Sequence, residues 1–451
     1  MKNKTYIICA FTLNQDGDAM ARIMDEGDEQ HGRICVCSDM LPGEEAHVRI
    51  ADLESRMPIV ETITRTVTSP NRTQPFCPVY AQCGGCTMQH IQADAGAELK
   101  QQQLSDCLTR IGGVPAEQLE KIMQPIVKAE EDKTTGYRNH MQYQIHRDDR
   151  SGRLAFGLYA EKSHRTVLMS RCAIAHPVAD LIKDEVEKYI NAPEGRNVRD
   201  KLSRHTRLIV RIGTRTSQAL CRLLVPLPKN KNNLMAFPAL DQKIRARLQK
   251  DAPTFTLCEK EIVEKIGNQA YIISPESFFQ VNTDQAEKLY DIAQDLFNAL
   301  PGDGPKTVLD IYCGTGSIGL HLSDSASRLI GLESNPKAIE DARRNATRNH
   351  VQNAEFHIGR AEYFDFSSLD STPDVVILDP PRKGCDSKLL TRLAELAPPH
   401  IIYISCDPAT LARDLSRLTA QGYQAEHVQA IDMFPWTGHV ECVTLMSRIE
   451  E

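Results

Sequence analysis

The chain predicts an α/β protein, with a Rossmann-like sheet in its C-terminal part, a small β-barrel at its start and an α+β segment between them. Three observations carry that expectation. Apolar runs at 307–311, 328–333, 374–379 and 401–404 alternate with helix-like patterns, as parallel strands require because each crossover needs a helix. The first run passes into Gly314-Thr-Gly316-Ser-Ile-Gly319, whose glycines let backbone N–H groups approach a ligand at a helix N-terminus. The segment 1–66 instead places short apolar strands (Tyr6–Phe11, Arg33–Cys37, His47–Ile50) between Asp16-Gly17-Asp18 and Leu41-Pro42-Gly43-Glu44 turns, the pattern of a small barrel.

With 451 residues, 41% of them apolar, the chain is long enough for two or three domains. No unbroken apolar run approaches the roughly 18 residues of a membrane helix. The expected divisions are 1–66, 67–275 and 276–451. After the barrel, Phe76-Cys77-Pro-Val-Tyr-Ala-Gln-Cys83-Gly84-Gly85-Cys86 brings three thiols together, and zinc, a disulfide cluster or an iron–sulfur cluster are the candidates. Fourteen cysteines without a secretory signal suit a reducing cytosol, so disulfides are disfavoured and a cytoplasmic location is expected. Leu99, Leu104, Leu108 and Ile111 predict a helix within 93–125 that leaves the central segment and packs on the C-terminal one.

Net charge is −7, yet Arg196 to Lys250 holds 14 Lys/Arg against only Asp200 and Asp241, so this segment is +12 and the rest of the chain −19. That distribution predicts a basic face able to grip phosphates. Tyr137, Phe156 and Tyr159 are the nearby aromatics expected to stack on bases.

The C-terminal runs carry the chemistry. Arg328-Leu-Ile-Gly-Leu-Glu333, the apolar run that follows the glycine turn, ends in a carboxylate, placed to accept from a ribose diol. This pair suits a nicotinamide dinucleotide and S-adenosylmethionine equally. Asn335-Pro336 then reads as a helix cap and first turn. Asp374-Val-Val-Ile-Leu-Asp379-Pro380-Pro381-Arg382 is a strand that ends in a carboxylate and is halted by prolines. Cys406 closes the run Ile401–Ile404, just before Asp407 and Pro408 as N-cap and N1. Strand ends face the ligand crevice, and the positive helix end is expected to lower the thiol pKa. A nicotinamide enzyme has no evident use for this combination, which favours methyl transfer.

In that order, Gly-Thr-Gly-Ser-Ile-Gly, Leu-Asp-Pro-Pro-Arg-Lys-Gly and Ser-Cys-Asp-Pro-Ala-Thr-Leu-Ala-Arg-Asp-Leu resemble motifs of the RNA uracil-5-methyltransferases. The resemblance extends to Pro275-Glu-Ser-Phe-Phe-Gln280-Val-Asn282 and to Asp432-Met-Phe-Pro-Trp-Thr-Gly-His-Val-Glu441. It implies Cys406 as nucleophile, Glu441 as general base, and Gln280, Tyr312, Glu333 and Asp379 as contacts to S-adenosylmethionine. Asp407 stands where asparagine is frequent and Trp436 where histidine is frequent, and neither departure removes a reacting group. The same resemblance makes Cys77, Cys83, Cys86 and Cys172, the last in Met169-Ser-Arg-Cys172, ligands of a 4Fe-4S cluster. The segment 1–66, including the Leu-Pro-Gly-Glu turn, resembles a TRAM RNA-binding module.

The implied chemistry suits the residues. Uracil C5 is too weak a nucleophile to take a methyl group from a sulfonium, so a thiolate first adds to C6, and a base later removes the C5 proton to expel it. An enzyme methylating an exocyclic amine would not need Cys406, and cytosine C5 enzymes carry a Pro-Cys pair that is absent here. A non-enzymatic RNA-binding or redox protein on this scaffold would show a broken site. The expected function is methylation of uridine C5 in structured RNA by a monomer. Module content favours 23S rRNA, with tRNA the alternative.

Overall fold

The computed structural model describes residues 4–52, 57–227, 231–302 and 304–449. Strands Thr5–Leu13, Ala19–Ile23, Ile34–Cys37, Glu45–Asp52 and Ile59–Val67 close into a barrel. Alternation along the first strand turns Tyr6, Ile8 and Ala10 inward, because successive side chains leave a strand on opposite faces. The Leu41–Glu44 turn is tied down by Glu44, which is fully buried. Its carboxylate accepts from Leu41 N (2.9 Å), Ser69 N (3.1 Å) and Arg72 Nε and Nη2 (both 2.7 Å).

The central sheet is built from His140–Arg147, Leu154–Tyr159, Thr166–Leu168, Arg207–Gly213, Gln218–Leu227 and Lys231–Met235, with Thr256–Cys258 added in parallel to Gln218–Leu227. Helices Pro177–Asn191 and Pro238–Asp251 cover one face, packing Ile182, Val186, Ile244 and Leu248 against Met141, Tyr143 and Val210. By alternation the opposite face presents His140, Gln142 and Gln144.

This placement corrects the basic-face expectation. Arg211 is 3% exposed and donates to the carbonyls of Pro275 (3.0 Å) and Ser277. Arg222 is buried as well. Arg215 pairs with Glu287 and Asp284, Arg245 with Glu259, Arg247 with Asp251 and Lys243 with Glu194. A run of like charge in sequence is thus divided between core, intramolecular pairs and solvent, since strand alternation and helix periodicity scatter neighbours over different faces. The aromatic expectation is corrected too: Tyr137 and Phe156 are buried, and only Tyr159, 40% exposed, is presented to solvent.

The C-terminal sheet has eight strands in the order Ala354–Ile358, Ala326–Glu333, Lys306–Ile311, Val375–Leu378, His400–Ser405, Glu441–Arg448, Tyr423–Ile431 and Met123–Val127. The first five run parallel, and Glu441–Arg448 enters antiparallel between its neighbours. Separate apolar cores lie around Leu289, Phe297 and Ile339 and around Leu389, Leu411 and Leu415, as in a sheet wound with helices on both faces. Helix Ala93–Arg110 leaves the central region and joins the second core through Leu104 and Leu108. The chain then turns at Gly113 (φ +70°), forms a second helix, Ala116–Ile122, and supplies the edge strand Met123–Val127. Upstream of residue 276, the hairpin Ile262–Ile266 and Gln269–Ile273 also packs into the C-terminal core through Ile262, Ile266, Tyr271 and Ile273. Among the described residues no helix is long and apolar enough to cross a membrane.

Candidate active site

The parallel strands end on one side of the sheet, where an open α/β fold forms its crevice. Tyr312, Glu333, Asp379 and Cys406, at or just beyond those ends, line a cavity of about 600 Å³ together with Gln280, from the segment before helix Thr283–Asn298, and Glu441, the first residue of the antiparallel strand, so every residue expected at the reaction centre is brought together. Tyr312 follows Lys306–Ile311 with φ +66°, and its N–H donates to Leu332 O at 2.9 Å. A non-glycine residue in the left-handed region is strained, and the glycine turn continues from it. A Cβ at Gly319 would lie 2.7 Å from Asp310 Oδ2, the oxygen that accepts from Gly319 N at 3.1 Å. Glu333 closes the next strand, its Oε1 accepting from Ser334 Oγ (2.9 Å) and Asn335 N (2.7 Å).

Cys406 and Glu441 meet because strands His400–Ser405 and Glu441–Arg448 are antiparallel with Ser405 opposite Cys442. Asp407 caps helix Pro408–Thr419, its Oδ1 accepting from Ala409 N (3.0 Å) and Thr410 N (2.9 Å). The thiol does not have the lowered pKa expected from that helix end. Burial first, then the charges of Glu441 and Asp379, push Cys406 up to about 12, with Arg382 opposing. Glu441 is itself held well above the carboxylate range by burial and then by Asp379. Burial raises Asp379 to about 7, while burial and then the charge of Asp379 raise Asp310 to about 8. The crevice therefore raises Cys406, Glu441 and Asp379 together, and a cation bound among them favours their ionised forms.

Residues not anticipated as site members also line the cavity. Arg382 and His439, linked through Nη2 and Nε2 at 3.2 Å, join Phe434 and the 72%-exposed Phe278. Each lay inside a quoted motif, so its neighbourhood was visible although its orientation was not. A second groove, lined by Gln142, Gln144, Tyr159 and Arg138, shares Phe278, Gln280, Arg382, Phe434 and His439 with the first.

The four cysteines sit elsewhere. Cys83 bridges the backbone at Ala160, with Gly84 N donating to Tyr159 O at 3.0 Å. A Cβ at Gly84 would meet the Glu161 backbone at 2.9 Å, which accounts for glycine there. Cys172 N donates to Asp180 Oδ2 at 3.0 Å. Burial pushes Cys86 up to about 12, opposed by Gln89, with Cys172, Cys83 and Cys77 adding to the rise. Burial likewise lifts Cys172 to about 11. The thiols are thus electrostatic neighbours. Among the described residues, however, no group of three or more His, Cys, Asp or Glu is arranged to hold a metal ion.

Residues 259–449 match the family profile described as tRNA (uracil-5-)-methyltransferase. The chain is 33% identical over 471 residues to an RNA methyltransferase of Bacillus cereus, covering 100% of this chain and 98% of that protein. It is 34% identical over 431 residues to an RNA methyltransferase of Clostridium acetobutylicum, covering 92% of each. Among solved structures it resembles the Pyrococcus abyssi tRNA (uracil-54, C5)-methyltransferase in complex with S-adenosyl-L-homocysteine, with TM-score 0.70 and 24% identity over 97% of this chain and 99% of that one.

Proposed function

Because the chain belongs to the RNA uracil-5-methyltransferase family, we propose that it methylates C5 of a uridine in folded RNA through a covalent adduct at Cys406. The carrying observation is the meeting of Cys406 and Glu441 in one cavity with Gln280, Tyr312, Glu333 and Asp379. S-adenosylmethionine, when bound, supplies the methyl group and a positive sulfonium. Glu333 would accept from the ribose diol, with Tyr312 and Gln280 bordering the same space, and Asp379, an acid with a raised pKa, would face the cation.

After losing its proton to solvent, Sγ of Cys406 adds to C6, the C5–C6 π pair becomes an enolate, and C5 takes the methyl group while the old methyl–sulfur bonding pair stays on the departing sulfur. Glu441 then accepts the C5 proton, the double bond reforms and the C6–Sγ bond breaks. A raised pKa makes Glu441 a stronger base once it is ionised, and Arg382 is the cation whose field favours both Glu441 and Cys406 in their charged forms.

We further propose that Cys77, Cys83, Cys86 and Cys172 hold a 4Fe-4S cluster. Four free thiols in mutual electrostatic reach match that group in donor chemistry, and it would clip the cysteine loop to the central sheet. The favoured substrate is 23S rRNA, on the combination of a barrel and cluster cysteines. The tRNA reading is kept by the fold likeness to a tRNA enzyme. Labelled cofactor with total RNA, followed by fractionation and nucleoside analysis, tests both. Label in 5-methyluridine of 23S rRNA is expected, label in tRNA selects the second substrate, and label in any other nucleoside refutes the function.

A further inference from the structure

We propose that Gln15, on the barrel, is a positioning residue for the Cys406 loop, which makes the barrel turn 14–18 part of the reaction centre. The proposal rests on the reading of Cys406 as nucleophile. Gln15 Nε2 donates to Asp407 Oδ2 at 2.7 Å, joining two distant parts of the chain. The other oxygen of Asp407 is committed to the helix N-terminus, so the residue next to Cys406 is held between its own helix and the barrel.

The turn that presents Gln15 has little slack. Asn14 Oδ1 accepts from Asp16 N and Asp18 N, both at 2.9 Å. Asn14 N donates to Asp18 O at 2.7 Å, and Gly17 N to Asn14 O at 3.0 Å. Gly17, at φ +86°, lies so close to Thr87 that a Cβ would sit 2.6 Å from Thr87 Oγ1. The same hydroxyl accepts from Gly438 N at 3.2 Å. A Cβ at Gly438 would meet Gln15 O at 2.5 Å and Gly17 N at 2.7 Å. One barrel turn therefore abuts the segment leading to Glu441 while it bonds the residue after Cys406, and displacing it disturbs both reacting groups. Asp407 offers two acceptor oxygens, so it serves its own helix through Oδ1 and the Gln15 N–H through Oδ2 at once.

The test is single-turnover methyl transfer with a swap of partners. Gln15→Ala is expected to slow transfer by about tenfold to a hundredfold, the usual result of a small misplacement, with cofactor affinity unchanged. Gln15→Glu sets two carboxylates against each other and is expected to be slower still. Combining Gln15→Glu with Asp407→Asn restores a donor and an acceptor with unchanged total charge, and is expected to recover most of the rate. A wild-type rate in Gln15→Ala, or a double variant no faster than Gln15→Glu, overturns the proposal. If Gln15→Ala does not fold, the comparison of Gln15→Glu with the double variant still decides.

A second readout needs neither RNA nor cofactor. The pH dependence of iodoacetamide labelling at Cys406, read by mass spectrometry, is expected to shift upward in Gln15→Glu and to return in the double variant. An unmoved curve in both argues against the link. A wild-type protein that makes no 5-methyluridine refutes the proposed reaction but leaves this curve interpretable.

Discussion

The Cys406 thiol has its pKa raised in the ligand-free chain, because burial and the neighbouring Glu441 and Asp379 outweigh Arg382. Its alkylation rate, followed by mass spectrometry, is expected to keep rising from about pH 7 to about pH 10, past the ordinary thiol midpoint. S-adenosylmethionine is expected to move the curve to lower pH, since a cation among Cys406, Asp379 and Glu441 favours their ionised forms. A curve already level at pH 8 without cofactor contradicts this account. Glu441→Gln removes the acceptor for the C5 proton but not the nucleophile. Release of the adduct should slow by about 10²–10⁴-fold, the range of general base contributions, so a protein–RNA complex should survive denaturing electrophoresis. Equal, low adduct in wild type and variant would show that another group takes the proton.

The Leu41–Glu44 turn binds its neighbours through a single buried carboxylate. Burial raises the Glu44 pKa, but Arg72, Ser69 N and Leu41 N outweigh it, and the net shift is downward from 4.5. A depressed folded pKa gives stability that is present above the unfolded value and lost as pH falls through the folded one. Glu44→Ala should therefore cost on the order of 3 kcal/mol near neutral pH, because Arg72 loses its buried partner. The gap between the two melting temperatures should narrow below about pH 4.5. An equal gap at pH 7 and pH 3 would place the loss in packing instead. The loop before Glu441 is braced by several elements. Lys100 Nζ donates to Asp432 Oδ1 (2.5 Å) and Phe434 O (2.9 Å), Tyr137 OH to Pro435 O (3.0 Å), and Thr87 and Met88 N–H to Trp436 O (3.0 Å each). Trp436 itself takes φ +68°. Its indole donates to Thr134 O at 2.9 Å and packs edge-on against Phe76, uses a sequence motif could not disclose.

At the scale of the molecule, the cysteine loop and the barrel both press on the loop that ends at Glu441. Anaerobically purified protein should be brown, absorb broadly near about 400 nm and contain about four irons per chain. Colourless protein with stoichiometric zinc would refute the cluster. Arg204 and Arg207 test phosphate contact by the central segment, whereas Arg211 is buried and bonded to the Pro275 carbonyl, so its reversal would test folding. Arg204→Glu with Arg207→Glu should lower the slope of log affinity against log salt by about one per lost contact, without changing the modified uridine. An unchanged slope would move the RNA grip to the shared groove and the barrel. The sequence by itself determined the parallel strands, the glycine turn and the strand-end residues Glu333, Asp379 and Cys406, because hydrophobic period and breakers act locally, while Tyr312 came from the motif resemblance alone. It also carried the motif containing Glu441. It did not reveal the edge strand Met123–Val127, whose partner Tyr423–Ile431 lies near the other end of the chain, nor the division of the basic run. Only the tertiary structure decided that burial and neighbouring carboxyl groups raise the Cys406 pKa, that Arg382 and His439 share its cavity and that Gln15 reaches Asp407. Burial, charge proximity and long-range hydrogen bonds depend on which surfaces the folded chain brings together, and local sequence does not encode that separately.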